Sequence, residues 1–233
     1  MKNLALKSYS FIILFFSIFY LTAQEELPKG LTETERELLP QFQFNSRLVI
    51  SDPPEGPVRA AAEWEEVEYL VVRWTNAYQN ILRQIVEVGV QECKVLITTQ
   101  NESSVTNYLT NQGVDLTNVE FLNTGSNSIW IRDYGGNTIY SDDVGDRAIT
   151  DWIYNRPRPN DDVIPSAHAL LADIPIYVTD SGINDLVNTG GNFMSDGLGN
   201  AFASSLILDE NEPGNPYGVS PKTEAQIDGI MEA

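Results

Sequence analysis

The sequence is poor in the residues that most often carry chemistry. Its 233 residues include one cysteine, Cys93, and one histidine, His168. A single thiol cannot close an internal disulfide, so the fold must stand on its packed core. One Cys and one His also rule out a tetrahedral Cys/His metal centre. Basic residues are scarce: 14 Lys and Arg stand against 33 Asp and Glu, a formal net charge of −19. Phosphate neutralisation needs Lys and Arg, so this balance argues against nucleic acid as a partner. An acidic surface suits a soluble protein and is compatible with cationic ligands. Long apolar runs are missing except at the N-terminus, where Phe11 to Leu21 is too short for an ordinary membrane span.

That run has the form of a targeting segment. Lys2 and Lys7 precede it, and Leu21-Thr22-Ala23 offers a small-residue cleavage pattern before Gln24. Residues 1–23 are therefore read as a cleaved signal peptide, with an uncleaved anchor as the alternative. The mature chain is expected to be secreted or periplasmic, touching membrane only through this segment. Residues 24–46 form a polar N-terminal lead with a helical turn or two. Asp52-Pro53-Pro54-Glu55-Gly56-Pro57 is a rigid loop, because Pro fixes φ and removes donors. The folded domain spans 47–233.

Within it, strands and helices alternate. Val67 to Trp74 is β-branched and aromatic and predicts a buried strand. Thr75 or Asn76 caps a helix with Tyr78, Ile81, Leu82, Ile85 and Val88 on one face, stopped by Gly89. Lys94 to Thr98 is a second strand. Asn101 to Gln112 is a helix striped by Val105, Tyr108 and Leu109, with Gly113 as its stop, and Val119 to Leu122 is a third strand. Thr138–Tyr140 and Ala148–Tyr154 read as a hairpin around the acidic turn Ser141 to Asp146, a solvated turn or a Ca²⁺ loop. Asp161 or Asp162 caps a helix to Ala172, followed by a strand from Ile174 to Val178. Leu186–Ser195 and Asn200–Leu208 read as strands around Asp196-Gly197. Ser220-Pro221 opens a last helix, with Ile227, Ile230 and Met231 as its apolar face. On this reading the helix has no C-cap and no strand to pack on, which agrees with a truncated domain. The recurrence of strand, helix and strand argues for an α/β or α+β layered fold.

Two stretches carry chemistry. In Ser128-Ile129-Trp130-Ile131-Arg132-Asp133-Tyr134, placed at a strand end, a carboxylate and an indole face stand together. A carboxylate takes two N–H bonds from a guanidinium, and the indole face attracts the same cation. The competing arrangement is an Arg132–Asp133 surface pair beside a buried Trp. In Asn155-Arg156-Pro157-Arg158-Pro159-Asn160, two guanidiniums flank a proline and form a stiff clamp for a carboxylate. Alternatively they pair with Asp151, Asp161 and Asp162. His168 reads as a half-buried structural or surface residue and Cys93 as a small buried hydrophobe, rather than as base and nucleophile. Thr189-Gly190-Gly191-Asn192 either brings backbone close to a ligand or is a plain bulge.

These motifs resemble the bacterial peptidylarginine deiminase and agmatine deiminase family of the guanidine-modifying, or pentein, superfamily. The resemblance rests on Ala62-Glu63-Trp64-Glu65, Trp130-Ile131-Arg132-Asp133-Tyr134-Gly135, Tyr154-Asn155-Arg156-Pro157-Arg158-Pro159-Asn160-Asp161-Asp162 and Thr189-Gly190-Gly191-Asn192-Phe193-Met194-Ser195-Asp196-Gly197. It implies an α/β propeller of ββαβ-type units around a pseudo-fivefold axis, here incomplete. It implies cofactor-free hydrolysis of a guanidinium to a ureido group with release of ammonia. By position, Asp133 matches a carboxylate that holds the guanidinium, and Trp130 the aromatic wall beside the substrate stem. Arg156 and Arg158 match the pair that binds the α-carboxylate of a C-terminal arginine, and Asn192 is grouped with these substrate-binding residues. The implied ligands are arginine-ended peptides or a small guanidino compound. The Asn-Arg-Pro-Arg-Pro-Asn-Asp-Asp run favours the secreted peptidylarginine branch over agmatine deiminase; a non-catalytic arginine-binding remnant is the further alternative, disfavoured because about half a propeller leaves open edges and an exposed core. The family's nucleophilic Cys and His-x-Asp element have no match here and are expected downstream of Ala233. Cys93 and His168 stand in the wrong contexts to replace them, so the chain alone is expected to be inactive.

Overall fold

The computed structural model describes residues 26–44, 54, 57–141, 146–179 and 184–232. Residues 1–23, read above as a signal peptide, most of the Asp52–Pro57 loop and the centre of the acidic Ser141–Asp146 turn lie outside them. Among the described residues no helix is long and apolar enough to cross a membrane.

The N-terminal lead contributes one short helix, α1 (Glu33–Leu38), closed by a reciprocal capping box between Thr32 and Glu35. After a two-residue strand, β1 (Arg59–Ala60), comes a parallel sheet of β2 (Tyr69–Arg73), β3 (Lys94–Thr98) and β4 (Val119–Leu122), in that order. Its crossovers are α2 (Gln79–Gly89) and α3 (Glu102–Asn111). Val95, Leu96 and Ile97 of the central strand are fully buried, as expected for a parallel strand covered on both faces. Val95 and Ile97 share one core cluster with Val72, Trp74, Val86, Val105, Leu109 and Val114, while Leu96 faces a second with Leu122, Tyr134, Tyr154 and Ile164. Gly113 ends α3 with a φ of +78°, the left-handed stop that the sequence predicts.

The α2 stripe is a correction. Tyr78, Ile81, Ile85 and Val88 are 40–62% exposed, while Leu82, Val86 and Val90 face the sheet. Gly89 does not adopt positive φ. A Cβ there would lie 3.0 Å from side-chain atoms of both Leu70 and Val95. The helix therefore approaches the sheet along the line of Val86 and Gly89, and that choice turns the larger apolar side chains outward.

The short helix α4 (Ile131–Tyr134) leads into the second sheet, built from β5 (Asn137–Tyr140) and β6 (Arg147–Asp151) in an antiparallel hairpin. β1 pairs with β5 on one side. The strand expected to run on to Tyr154 breaks at Trp152, whose indole N–H donates to Asn137 Oδ1 at 2.8 Å. Beyond the break lies β7 (Ile153–Tyr154), which belongs to a different sheet. Two helices follow, α5 (Pro159–Asp162) and α6 (Ile164–Ala172), the latter closed by Asp173 at φ +53°. β8 (Ile176–Val178) then returns parallel to β6.

β9 (Val187–Asn188) pairs with β7, and the expected strand from Leu186 to Ser195 is interrupted by a 3₁₀ turn at Gly190–Asn192. β10 (Met194–Ser195) and β11 (Ala201–Phe202) form the hairpin around Asp196-Gly197. The remainder of the expected last strand is a helix, α7 (Leu206–Asp209). The final helix, α8 (Glu224–Met231), is capped by Thr223 and Gln226, not by Ser220. Its Ile227 is buried with Trp152, Leu186 and Ile207, and Ile230 and Met231 pack beside it. The apolar face thus has a partner, and the support it lent to truncation falls away.

Candidate functional site

The site gathers at the loop that leaves β4. Asp161, fully buried on α5, accepts from Asn127 N (2.6 Å), Ser128 N (3.0 Å) and Ser128 Oγ (2.8 Å). Burial pushes its pKa up against those bonds. The Tyr134 hydroxyl donates to Ser128 O at 3.0 Å, and Tyr154 stacks edge-on to its ring. The loop is thereby locked before it enters α4.

The Trp-x-Arg-Asp stretch is a single helical turn, not a strand end. The turn rotates successive side chains by roughly 100°. Asp133 consequently points inward, 8% exposed, while Arg132 points out to Glu63 and Phe193 O. The internal Arg132–Asp133 pair is not formed. Gly190 and Gly191 lie against this turn. A Cβ on Gly190 would sit 2.6 Å from Gly135 O, and one on Gly191 would sit 2.2 Å from Asp133 Oδ1. The glycine pair thus permits a close backbone approach. Asn192 faces elsewhere: its Oδ1 accepts from Ser204 N (3.0 Å) and Oγ (2.6 Å), and its amide donates to Asn188 Oδ1 at 3.3 Å.

Asp133 has the Lys29 ammonium 3.7 Å from its Oδ1. Burial raises its pKa, with Lys29, Arg156 and Arg158 pulling the other way. Lys29 links the carboxylate to one of them, its ammonium on Asp133 and its carbonyl accepting from Arg156 Nε. Trp130 is half-buried, and its indole N–H donates to Leu27 O at 2.9 Å. Arg156 places Nη1 4.0 Å from Glu210 Oε1 and donates through Nε to Lys29 O at 3.2 Å. Arg158, 1% exposed, forks onto Glu35: Nε to Oε1 at 2.7 Å and Nη2 to Oε2 at 3.1 Å. Burial opposes ionisation of Glu35, yet Arg158 and Thr32 hold its carboxyl below the ordinary range. Arg158 Nη1 is buried without a partner among the described residues.

Three acids of this site carried no distinguishing signal in the sequence or only a faint one. Glu35 belongs to the polar lead. Glu210 sits in an acidic run, yet it is buried and accepts from Asn155 Nδ2 (2.6 Å) and the Tyr217 hydroxyl (3.3 Å). Burial pushes its pKa up to about 7, against Asn155, Arg156 and Tyr217 and with help from Asp209. Asp161 fell within the Arg-Pro-Arg motif but looked like a helix cap. Cys93 and His168 lie apart from these residues. Cys93 precedes β3, at the opposite strand end from the Asp133 loop. His168 stands edge-on to Tyr69 at 5.6 Å, its pKa lowered by burial against the pull of Glu68. Among the described residues no three His, Cys, Asp or Glu side chains form a metal-ligating group.

Comparison with known proteins adds a family match and three similar structures. The family described as Porphyromonas-type peptidyl-arginine deiminase matches residues 57–230. The agmatine deiminase of C. jejuni is 24% identical with a TM-score of 0.57, over 75% of this chain and 51% of that one. A variant of that enzyme with substrate bound matches at 22% identity and TM-score 0.57, over 75% and 52%. A Porphyromonas gingivalis structure described as an arginine deiminase is 16% identical with a TM-score of 0.58, over 75% and 53%. The likeness in structure establishes the shared mixed α/β fold, and the chain spans about half the length of each of these proteins.

Proposed function

The chain belongs to the Porphyromonas-type peptidyl-arginine deiminase family, and from that premise we propose that it carries the substrate-binding side of an arginine deiminase. The observation behind this reading is a buried carboxylate, Asp133, three residues after a half-buried indole, with both side chains and the guanidiniums of Arg156 and Arg158 converging on one short stretch, residues 27–30. A ligand with a guanidinium at one end and a carboxylate at the other matches that order of charges. Asp133 would accept two N–H bonds from the guanidinium, Trp130 would wall its stem, and the arginine pair would take the carboxylate. Gly190 and Gly191 contribute by leaving Asp133 room to turn inward. Asn192, through Ser204 and Asn188, holds that glycine turn in place.

The reaction proposed for the complete site replaces one guanidinium nitrogen by oxygen through a covalent cysteine intermediate, leaving a ureido group and releasing ammonia. The chain's own residues bind and orient the substrate. Neither Cys93 nor His168 lies where it can reach a guanidinium held on Asp133. The 233-residue chain by itself is thus expected to bind without turnover, and citrulline formed by a preparation free of other deiminases would refute this. The peptidylarginine reading, with secretion directed by residues 1–23, is preferred to the agmatine reading because of the arginine pair. Agmatine has no carboxylate for Arg156 and Arg158 to hold.

Calorimetric titration tests the assignment. A dipeptide ending in arginine is expected to bind, and Asp133→Ala is expected to abolish the heat. Arg156→Ala with Arg158→Ala should weaken that dipeptide by about 30-fold or more, the equivalent of one lost charge-assisted hydrogen bond. Agmatine should lose much less. Equal losses on both ligands would refute the carboxylate clamp, and no heat from either at millimolar concentration would refute the site.

A further inference from the structure

Each of the four side chains assigned above to the ligand makes at least one polar contact with one short segment. Leu27 O receives the Trp130 indole N–H at 2.9 Å. The Lys29 ammonium lies on Asp133, and Lys29 O receives Arg156 Nε. Pro28 O and Gly30 O receive Arg158 Nη2 at 2.9 and 3.1 Å. The Glu35 carboxylate takes the Arg158 fork. The signs match those of the proposed ligand, with a cation on the carboxylate and a carboxylate on the guanidinium. We propose that residues 27–35 are an internal mimic of an arginine-ended ligand, which occupies the site and must leave before substrate enters. The inference rests on the assignment of Asp133, Arg156 and Arg158 to ligand binding.

Three further features support a removable occupant. The first is access: with Arg158 only 1% exposed, no ligand carboxylate can reach it while Glu35 is in place. The second is unequal strength along the segment. The Lys29 side chain is 64% exposed, and such pairs are weak. An ammonium also lacks the planar fork with which a guanidinium satisfies a carboxylate, so a true ligand has the advantage at Asp133. Glu35 is the stronger hold, preset by its capping box with Thr32. The third is a tether. Phe44 packs on Tyr217 at 5.4 Å and beside Ile153, Val187 and Val219. Residues 27–35 can therefore release while the far end of the lead stays anchored. An intramolecular occupant competes at a high effective concentration and lowers the apparent affinity of any free ligand.

The test uses the full chain and a dipeptide ending in arginine. Calorimetry is run on wild type and on Lys29→Ala with Glu35→Ala, and the variant is expected to bind about tenfold or more tightly than wild type. In parallel, trypsin cleavage after Lys29 is followed with and without saturating dipeptide, and the ligand is expected to accelerate it. If the double variant fails to fold, Lys29→Ala alone serves, since its exposed side chain carries no core packing. It should bind a few-fold more tightly. Equal affinities in wild type and variant, with cleavage indifferent to ligand, would overturn the proposal while leaving the binding assignment intact. No binding by either protein would remove the assignment itself, and the proposal with it.

Discussion

Replacing Glu210 by Gln is the sharpest probe of the buried electrostatics behind Arg156. Glu210 is 7% exposed, and burial raises its pKa from 4.5 to about 7 despite Asn155, Arg156 and Tyr217. Its Oε2 has no partner among the described residues, so nothing offsets the desolvation of that oxygen. In the unfolded chain Glu210 releases its proton near the ordinary glutamate pKa, whereas the folded chain keeps it until about pH 7. Between those values the folded state binds more protons, so stability falls as pH rises. The stability is fully present below the unfolded pKa and is lost through the folded one. The shift corresponds to about 3 kcal/mol, or about 6–12 °C in Tm for a chain of this size. Gln cannot ionise and escapes this loss. Thermal unfolding of both proteins from about pH 5 to pH 8 should show Glu210→Gln gaining on wild type as pH rises, with most of the gain complete by pH 8. Curves that keep a constant separation across this range would refute the assignment of a proton-retaining acid behind Arg156.

The glycine turn and its neighbours offer further checks. Gly191→Ala places a methyl 2.2 Å from Asp133 Oδ1, and by displacing that carboxylate it should weaken an arginine-ended dipeptide about tenfold in calorimetry. Asp161→Ala strands three donors of Asn127 and Ser128, two of them buried, and should lower stability by about 3 kcal/mol in denaturant titration. Ile81→Gln and Val88→Gln should each change stability by less than about 0.5 kcal/mol, because both side chains face solvent. Val86→Ala on the same helix should cost about 2 kcal/mol, and equal effects on the two faces would contradict the orientation of α2.

Local sequence was sufficient where local physics decides. The parallel strands around Val95-Leu96-Ile97, the Val105–Leu109 stripe and the Gly113 stop were all legible, because β-branched runs, helical spacing and left-handed glycine act within a few residues. The residue types at Asp133, Trp130, Arg156 and Arg158 suggested a set for a cation and an anion; what the fold adds is that all four contact residues 27–35. The buried face of α2 was not legible. α2 carries apolar residues on two sides, and the choice between them came from the closeness of Gly89 to Leu70 and Val95 in another element. Nor was the break at Trp152, which depends on an indole partner fifteen residues away in the chain.

What the sequence by itself determined is the inventory: an acidic chain with one thiol and one imidazole, and the Trp130, Asp133, Arg156 and Arg158 side chains on which the proposed arginine site rests. What only the tertiary structure decided is which groups those residues face. A helical turn separates Asp133 from its neighbour Arg132, and Glu210 is buried behind Arg156. The polar lead supplies Lys29 and Glu35 from about a hundred residues or more away. Charge at such separations in sequence is coupled only through folded space, where burial removes the water that would otherwise screen it.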